Sequence, residues 1–208
     1  VAAAGVNFAD SLMVTGRYQE RPPLPFVPGL EVAGRIVGLG DGVAELAPGQ
    51  RVLAMLDRGG FAERAVARAT DVVPLPDDLD DVTAAGFAIA YGTALGALDW
   101  RASLRPGETL LVHGAAGGVG LTAVEVGKAM GARVVATARG ADRLAVARAH
   151  GADEALDSER PDLVDALRGI VGRAGFDVVF DPVGGAVFDA SLRTIAWSGR
   201  IVLVGFAS

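Results

Sequence analysis

The apolar positions of this chain fall into two textures. Over residues 1–84 they form short runs broken by Pro22-Pro23, Pro25, Pro28-Gly29, Gly38, Gly40, Pro48-Gly49 and Gly59-Gly60. Apolar runs bounded by such residues read as strands, here over 31–38, 51–56, 60–66 and 72–75, and their spacing predicts an irregular β-rich barrel. From Asp80 the texture turns helical: Asp80 and Asp81 precede Val82-Thr83-Ala84-Ala85, as the positive end of a helix favours, and a second helix is predicted over 88–100. After Pro106-Gly107 strands over 109–112, 133–137, 154–156, 177–180 and 200–204 alternate with helices over 121–130, 141–149, 163–171 and 187–195. Such alternation demands a parallel sheet covered by helices on both faces.

The expected fold class is therefore α/β, with a β-rich barrel domain over 1–84 and a doubly wound domain over 85–208. A doubly wound dinucleotide fold usually has six strands, and five can be counted before Ser208. The first residues, Val1-Ala2-Ala3-Ala4-Gly5-Val6, begin inside an apolar run. Both features lead to the expectation of a chain truncated at both ends, its last sheet strand missing.

Composition narrows the chemistry. Hydrophobic residues make up 51% of 208, ample for a packed core, and the formal net charge of −6 is spread over interspersed acids and bases. No basic footprint for nucleic acid or for an anionic membrane is visible. The chain has no cysteine, so disulfides, thiolate catalysis and Cys-containing metal sites are excluded, and His113 and His150 are its two imidazoles. No apolar run reaches membrane-spanning length and no signal-peptide pattern is present, which makes the cytoplasm the expected location.

Candidate chemistry centres on Leu110-Leu111-Val112-His113-Gly114-Ala115-Ala116-Gly117-Gly118-Val119-Gly120, between a predicted strand and a predicted helix. Gly114, Gly117 and Gly120 suit a sharp strand-to-helix turn that a diphosphate can approach, the exposed amides at the helix start would hold the phosphates, and Gly118 and Val119 within the turn join the cofactor-binding candidates. A second strand follows within one βαβ length, the context such a motif needs. The competing reading is a tight turn that binds nothing.

Cofactor choice is read after that second strand, where an NAD-binding protein places an acid on the ribose hydroxyls. This neighbourhood is Thr137-Ala138-Arg139-Gly140, with Arg143 following. Two cations and no acid favour a 2′-phosphate, hence NADPH over NADH, because guanidinium grips phosphate bidentately. The alternative is that both arginines are solvated. Lys128 either assists them or is itself solvated. Gly184-Gly185, Gly205 and Phe206 fall just beyond the fourth and fifth strands, at the carboxyl ends where ligands bind.

The ordered set Ala4-Gly5-Val6-Asn7-Phe8-Ala9-Asp10, Gly16-Arg17-Tyr18, Pro28-Gly29-Leu30-Glu31-Val32-Ala33-Gly34, Gly60-Phe61-Ala62-Glu63, Tyr91-Gly92-Thr93-Ala94 and 113–120 resembles the medium-chain dehydrogenase/reductase superfamily. Within it, the chain is similar to the zinc-independent NADPH:quinone oxidoreductase family, the zeta-crystallin-like branch. The resemblance implies a GroES-like domain followed by a Rossmann domain. Zinc-bearing members carry a Cys near the place of Asn7 and a His where Leu30 stands, so it implies no zinc and no flavin. Without a Lewis acid, alcohol oxidation is disfavoured. What it implies instead is hydride delivery to a quinone held between the domains, with an enoyl or alkenal double-bond reductase, or a non-catalytic NADP-binding fragment, as alternatives. The resemblance also implies a homodimer of the intact protein.

Site residues follow from the same resemblance. Thr93 matches a position that contacts the nicotinamide end, against a helix hydroxyl bonded to its own backbone. Asn7 and Tyr18 match positions facing the nicotinamide, as the catalytic pair: Asn7 would hydrogen-bond the carbonyl oxygen that gains charge, and Tyr18 would donate a proton. Asn7 also fits a turn-stabilising amide. Leu12 and Met13 stand where some relatives carry another Tyr, which leaves solvent as a rival proton donor. Glu31 reads as a structural carboxylate, His113 as a structural imidazole ahead of a general acid, His150 as a helix cap, and Trp100, Trp197 and Phe188 as packing residues.

Overall fold

A computed structural model describes residues 1–205 of the chain. The chain divides into two compact units, Val1–Ala90 and Tyr91–Ser208.

The first unit carries a four-stranded antiparallel sheet in the order β1 (Ala3–Ala4), β2 (Glu31–Arg35), β3 (Arg51–Met55), β4 (Val72–Pro74). β2 and β3 pair from Glu31 opposite Met55 to Arg35 opposite Arg51. Two short helices join it, α1 (Phe8–Val14) and α2 (Asp81–Ala85). Asp80 caps α2 by accepting from the Val82 and Thr83 amides, both at 2.9 Å, which supplies the orphan donors of a helix start with an acceptor. Ala84 and Ala85 pack on Ala33 of β2. Small side chains at that contact let the backbones approach: a Cβ on Gly5 would stand 2.3 Å from the Ala85 carbonyl oxygen.

Two expectations for this unit need correction. Residues 60–66 form no strand. The amides of Gly59, Gly60 and Phe61 bond instead to the carbonyls of Val27, Gly29 and Pro28, and this crossing is so close that a Cβ on Gly29, at φ +102, would meet the Phe61 nitrogen at 2.6 Å. The helix α1 is also new. Its signal was the Asn7-x-x-Asp10 spacing: Asp10 Oδ2 accepts from the Asn7 amide at 2.8 Å, the reciprocal half of a capping box.

Helix α3 (Ala88–Leu95) starts at the end of the first unit and continues in the second, where it runs on into a π-helical turn at Gly96–Arg101. There follow β5 (Thr109–Val112), α4 (Gly118–Ala129), β6 (Arg133–Ala138), α5 (Ala141–Ala149), β7 (Glu154–Asp157), α6 (Leu163–Val171), β8 (Phe176–Asp181), α7 (Gly185–Thr194) and β9 (Ile195–Leu203). The five strands are parallel in the order β7-β6-β5-β8-β9. Leu110, Leu111 and Val112 of β5 are fully buried. Leu110 and Val112 face a core with Leu98, Ala123 and Val124, while Leu111 faces one with Leu167, Phe176 and Val187. Burial on both faces is why this strand reads as an unbroken apolar run.

The connections leave β5 first towards β6 and β7, then cross back to β8. The order reverses between β5 and β8, and the carboxyl ends of those two strands bound the crevice where open α/β sheets bind ligands. The boundaries that moved furthest are the starts of α4, at Gly118 instead of 121, and of β9, at Ile195 instead of 200, and the end of β2, at Arg35 instead of 38. The tryptophans do not pack. Trp197 is 99% exposed and Trp100 78%; Phe188 is half-buried.

Candidate functional site

The glycine turn sits at the carboxyl end of β5, against β8. Gly114 takes φ +59, and a Cβ there would stand 3.0 Å from Val183 Cγ2 in the loop after β8. The next amide, Ala115, donates to the Thr137 carbonyl at the end of β6 at 3.0 Å, and Gly117 donates back to Gly114 at 2.9 Å. At Gly120 the packing is tightest: a Cβ would lie 2.2 Å from the Gly114 carbonyl oxygen. Only glycine permits α4 to start directly under the turn.

Gly118 is exposed, with nothing within 4 Å of where a Cβ would stand. The first-turn amides of Gly118, Val119 and Gly120 donate to no acceptor among the described residues. A helix of 12 residues that presents free donors and its positive end to open space is suited to an anion. The cradle therefore fits a dinucleotide diphosphate.

Beneath the turn lies a buried polar cluster. His113 is wholly buried; its Nδ1 is 2.7 Å from Thr137 Oγ1 and its Nε2 2.8 Å from Ser191 Oγ on α7. Ser191 spends its proton on the Val187 carbonyl at 3.0 Å, so its oxygen accepts from Nε2–H and Thr137 donates to Nδ1. The neighbours thus select one neutral tautomer. Burial pushes the His113 pKa down to about 4, with Asp181 pulling the other way. The structural reading of His113 holds: it ties β5, β6 and α7 together at the foot of the turn.

Asp181, also fully buried, ends β8. Its Oδ1 accepts from the Val183 and Gly184 amides at 2.8 and 2.9 Å, while Oδ2 is buried without a hydrogen-bond partner among the described residues. This carboxylate shapes the loop through Gly184 and Gly185, whose φ values are +78 and +58. Gly205 comes alongside: a Cβ on it would stand 3.4 Å from the Pro182 carbonyl. Phe206 lies outside the described residues.

At the end of β6, Arg139 and, in the first turn of α5, Arg143 are exposed, and neither forms an ion pair among the described residues. Lys128, partly exposed, is paired with both carboxylate oxygens of Asp153 at 2.8 and 2.9 Å. An acid does stand at the end of β6. Asp157 ends β7 in register with Ala138, and its Oδ2 accepts from the Gly140 amide at 3.3 Å. Sequence reasoning missed it because it arrives from the neighbouring strand.

Thr93 is half-buried on α3, and its hydroxyl makes no hydrogen bond among the described residues; Thr122, by contrast, donates to its own helix at Gly118 and Val119. Near the start of α3, the Tyr91 hydroxyl bonds Glu125 Oε2, and Glu125 Oε1 is 2.6 Å from His150 Nδ1. The bond to Glu125 raises the Tyr91 pKa. Burial pulls Glu125 upward, but the bonds from Tyr91 and His150 outweigh it and hold the carboxyl below its ordinary range. His150 itself ends α5, its amide bonded to the Val146 carbonyl.

Asn7 and Tyr18 lie in the first unit and the other candidates in the second. Asn7 is half-buried, and its Nδ2 donates to Glu31 Oε1 at 2.8 Å. Glu31, 2% exposed, spends its other oxygen on the Ile89 amide at 2.9 Å. A carboxylate accepts only, so the Asn7 amide is fixed with its nitrogen towards Glu31, which leaves one N–H for another partner. Tyr18 is half-buried, its amide bonded to the Leu12 carbonyl at 3.1 Å, and its hydroxyl makes no bond among the described residues. A cavity of about 240 Å³ in the first unit, lined by Val32, Val52, Ala54 and Leu56 among others, includes none of the candidate residues.

Residues 1–77 match the family model of the alcohol dehydrogenase GroES-like domain, and residues 118–208 that of the zinc-binding dehydrogenases. Over its whole length the chain is 41% identical to a quinone oxidoreductase-like protein 2 homolog of Nematostella vectensis. The chain belongs to the medium-chain dehydrogenase/reductase superfamily, in its quinone oxidoreductase-like family. Among solved structures it resembles the quinone oxidoreductase of Thermus thermophilus, also solved with NADPH, at 39% identity and a TM-score of 0.84, over 98% of this chain and 63% of that one. It resembles the CurK enoyl reductase at 29% identity and a TM-score of 0.91, over 99% of this chain and 64% of that one. The chain spans 57% of the length of its Nematostella relative.

Proposed function

We propose that this protein is an NADPH-dependent quinone oxidoreductase that works without metal or flavin, its first unit serving the substrate and its second the cofactor. The observation that carries the reading is the start of α4, where the Gly118, Val119 and Gly120 amides have no acceptor among the described residues and Gly118 is exposed beside a turn closed at Gly120. Arg139 and Arg143, free of ion pairs among the described residues, are the groups for a 2′-phosphate. A bound dinucleotide would supply the hydride. In the second unit, Thr93, the loop that follows Asp181 and Gly205 are the groups for the nicotinamide end; in the first unit, the remaining Asn7 N–H is the donor for the acceptor's developing oxyanion, and Tyr18, or solvent, the source of the proton.

The metal-free reading rests on donors. Cysteine is absent from the chain, Leu30 stands between Gly29 and Glu31, and both Glu31 oxygens are occupied by Asn7 and Ile89. Among the described residues no group of three or more His, Asp or Glu is arranged to hold a metal.

A second reading, reduction of an enoyl or alkenal double bond, is favoured by the likeness to the CurK enoyl reductase. NADPH oxidation measured against a panel of quinones and enals separates the two. Turnover of neither class, with cofactor still bound in a calorimetric titration, would leave a non-catalytic nucleotide-binding protein. No helix among the described residues is long and apolar enough to cross a membrane. A cytoplasmic location and a homodimer of the intact protein complete the proposal, tested by fractionation and by sedimentation.

A further inference from the structure

The corner that receives the adenosine ribose contains an opposing charge. Asp157 closes β7 level with Ala138, the last residue of β6, and the two strand ends are joined by the Ser158 amide donating to the Ala138 carbonyl at 3.0 Å. Its Oδ1 is held by the Glu159 amide at 2.9 Å, and its Oδ2 reaches the Gly140 amide at 3.3 Å. Gly140 directly follows Arg139 and, at φ +77, is the N-cap of α5, so the donor Asp157 takes is one that an anion at that helix end would use. On the Asp157 side, Arg160 is bound bidentately by Asp162 at 2.7 and 2.8 Å, and the Asp157 charge acts on it more weakly than Asp162 does. Asp157 therefore keeps a carboxylate against the backbone that follows Arg139, and neither Arg139 nor Arg143 forms an ion pair among the described residues.

We propose that Asp157 is a specificity-determining residue for the cofactor. Its carboxylate accepts from a ribose 2′-hydroxyl and opposes a 2′-phosphate, and so offsets part of the preference that Arg139 and Arg143 create. The inference rests on the dinucleotide reading of the preceding section but concerns a different residue and the opposite direction of selectivity. A like charge in the same pocket penalises the phosphorylated ligand and spares the hydroxyl form, which is selectivity by repulsion. Asparagine keeps the side chain's shape and an accepting oxygen while removing the charge.

The test is calorimetric titration of the full chain with 2′,5′-ADP and with 5′-AMP, which carry the adenosine ribose with and without the 2′-phosphate. Asp157→Asn is expected to tighten 2′,5′-ADP on the order of tenfold and to leave 5′-AMP within about threefold, the gain shrinking as salt is raised. Asp157→Ser, with circular dichroism as the folding control, should act in the same direction. An unchanged ratio between the two ligands, or equal changes for both, overturns the inference while the dinucleotide reading stands. Failure of either nucleotide to bind the native chain overturns both readings together.

Discussion

Asn7 and Glu31, 24 residues apart in sequence, meet through a 2.8 Å bond from the Asn7 amide nitrogen to a carboxylate that is 2% exposed. The same carboxylate holds the Ile89 amide. Glu31→Ala strands two part-buried donors, and the expected loss of stability is about 1–3 kcal/mol, read from urea unfolding. Asn7→Ala removes only one partner of a half-buried pair. It should lower kcat/KM for a quinone by about ten- to a hundredfold and leave NADPH affinity unchanged, since an oxyanion donor acts on the transition state. Equal losses in binding and turnover would assign Asn7 to the fold alone.

Gly118 and Gly120 are two residues apart and should respond differently to alanine. At Gly118 the space is open, whereas at Gly120 a Cβ would lie 2.2 Å from the Gly114 carbonyl oxygen. Gly118→Ala should fold with stability equal to or up to about 1 kcal/mol above the parent, because alanine favours helix, yet bind NADPH more weakly. Gly120→Ala should lose both stability and NADPH binding as the turn is forced open. Unfolding curves and cofactor titrations on the two variants check this, and an undisturbed Gly120→Ala would contradict the turn geometry.

Burial holds the folded His113 pKa at about 4, below the ordinary 6.5. Between those values the unfolded chain binds a proton that the folded chain refuses. This contribution to stability is complete above about pH 6.5 and declines as pH falls towards 4, by about 3 kcal/mol across the window. Urea unfolding at a series of pH values, compared with His113→Gln, isolates the effect. The variant should be less stable at pH 7 and should lack this part of the slope; parallel profiles would refute the buried neutral imidazole.

Arg139→Ala should raise the KM for NADPH on the order of tenfold and leave that for NADH unchanged, because only the former carries the phosphate a guanidinium can clasp. Arg143→Ala should act in the same sense with smaller effect. Steady-state assays with both cofactors decide it, and equal changes for NADPH and NADH would return both arginines to the solvated surface.

Much of the fold was legible because its signals are local. Asp80 before Val82, the alternation after Pro106-Gly107 and the buried run of β5 each predict an element from adjacent residues. The errors share a cause. Residues 60–66 look like a strand until the crossing at Gly29 claims their first amides. The helix predicted over 121–130 begins instead at Gly118, because the turn closes at Gly120 against the Gly114 carbonyl, a contact that no local pattern shows. Trp197 looks like a core residue by type and is 99% exposed on β9.

By itself the sequence determined the two textures, the strand-turn-helix at Gly114 to Gly120, the absence of thiolate chemistry and the cations after β6, since each follows from residue type at short range. Only the tertiary structure decided which groups share a site. It joined Asn7 to Glu31, chose the tautomer of His113 through Ser191 and Thr137, bound Lys128 to Asp153, and set Asp157 beside Gly140. Those pairings depend on which strand lies beside which, and strand order is a property of the assembled sheet that no local pattern encodes.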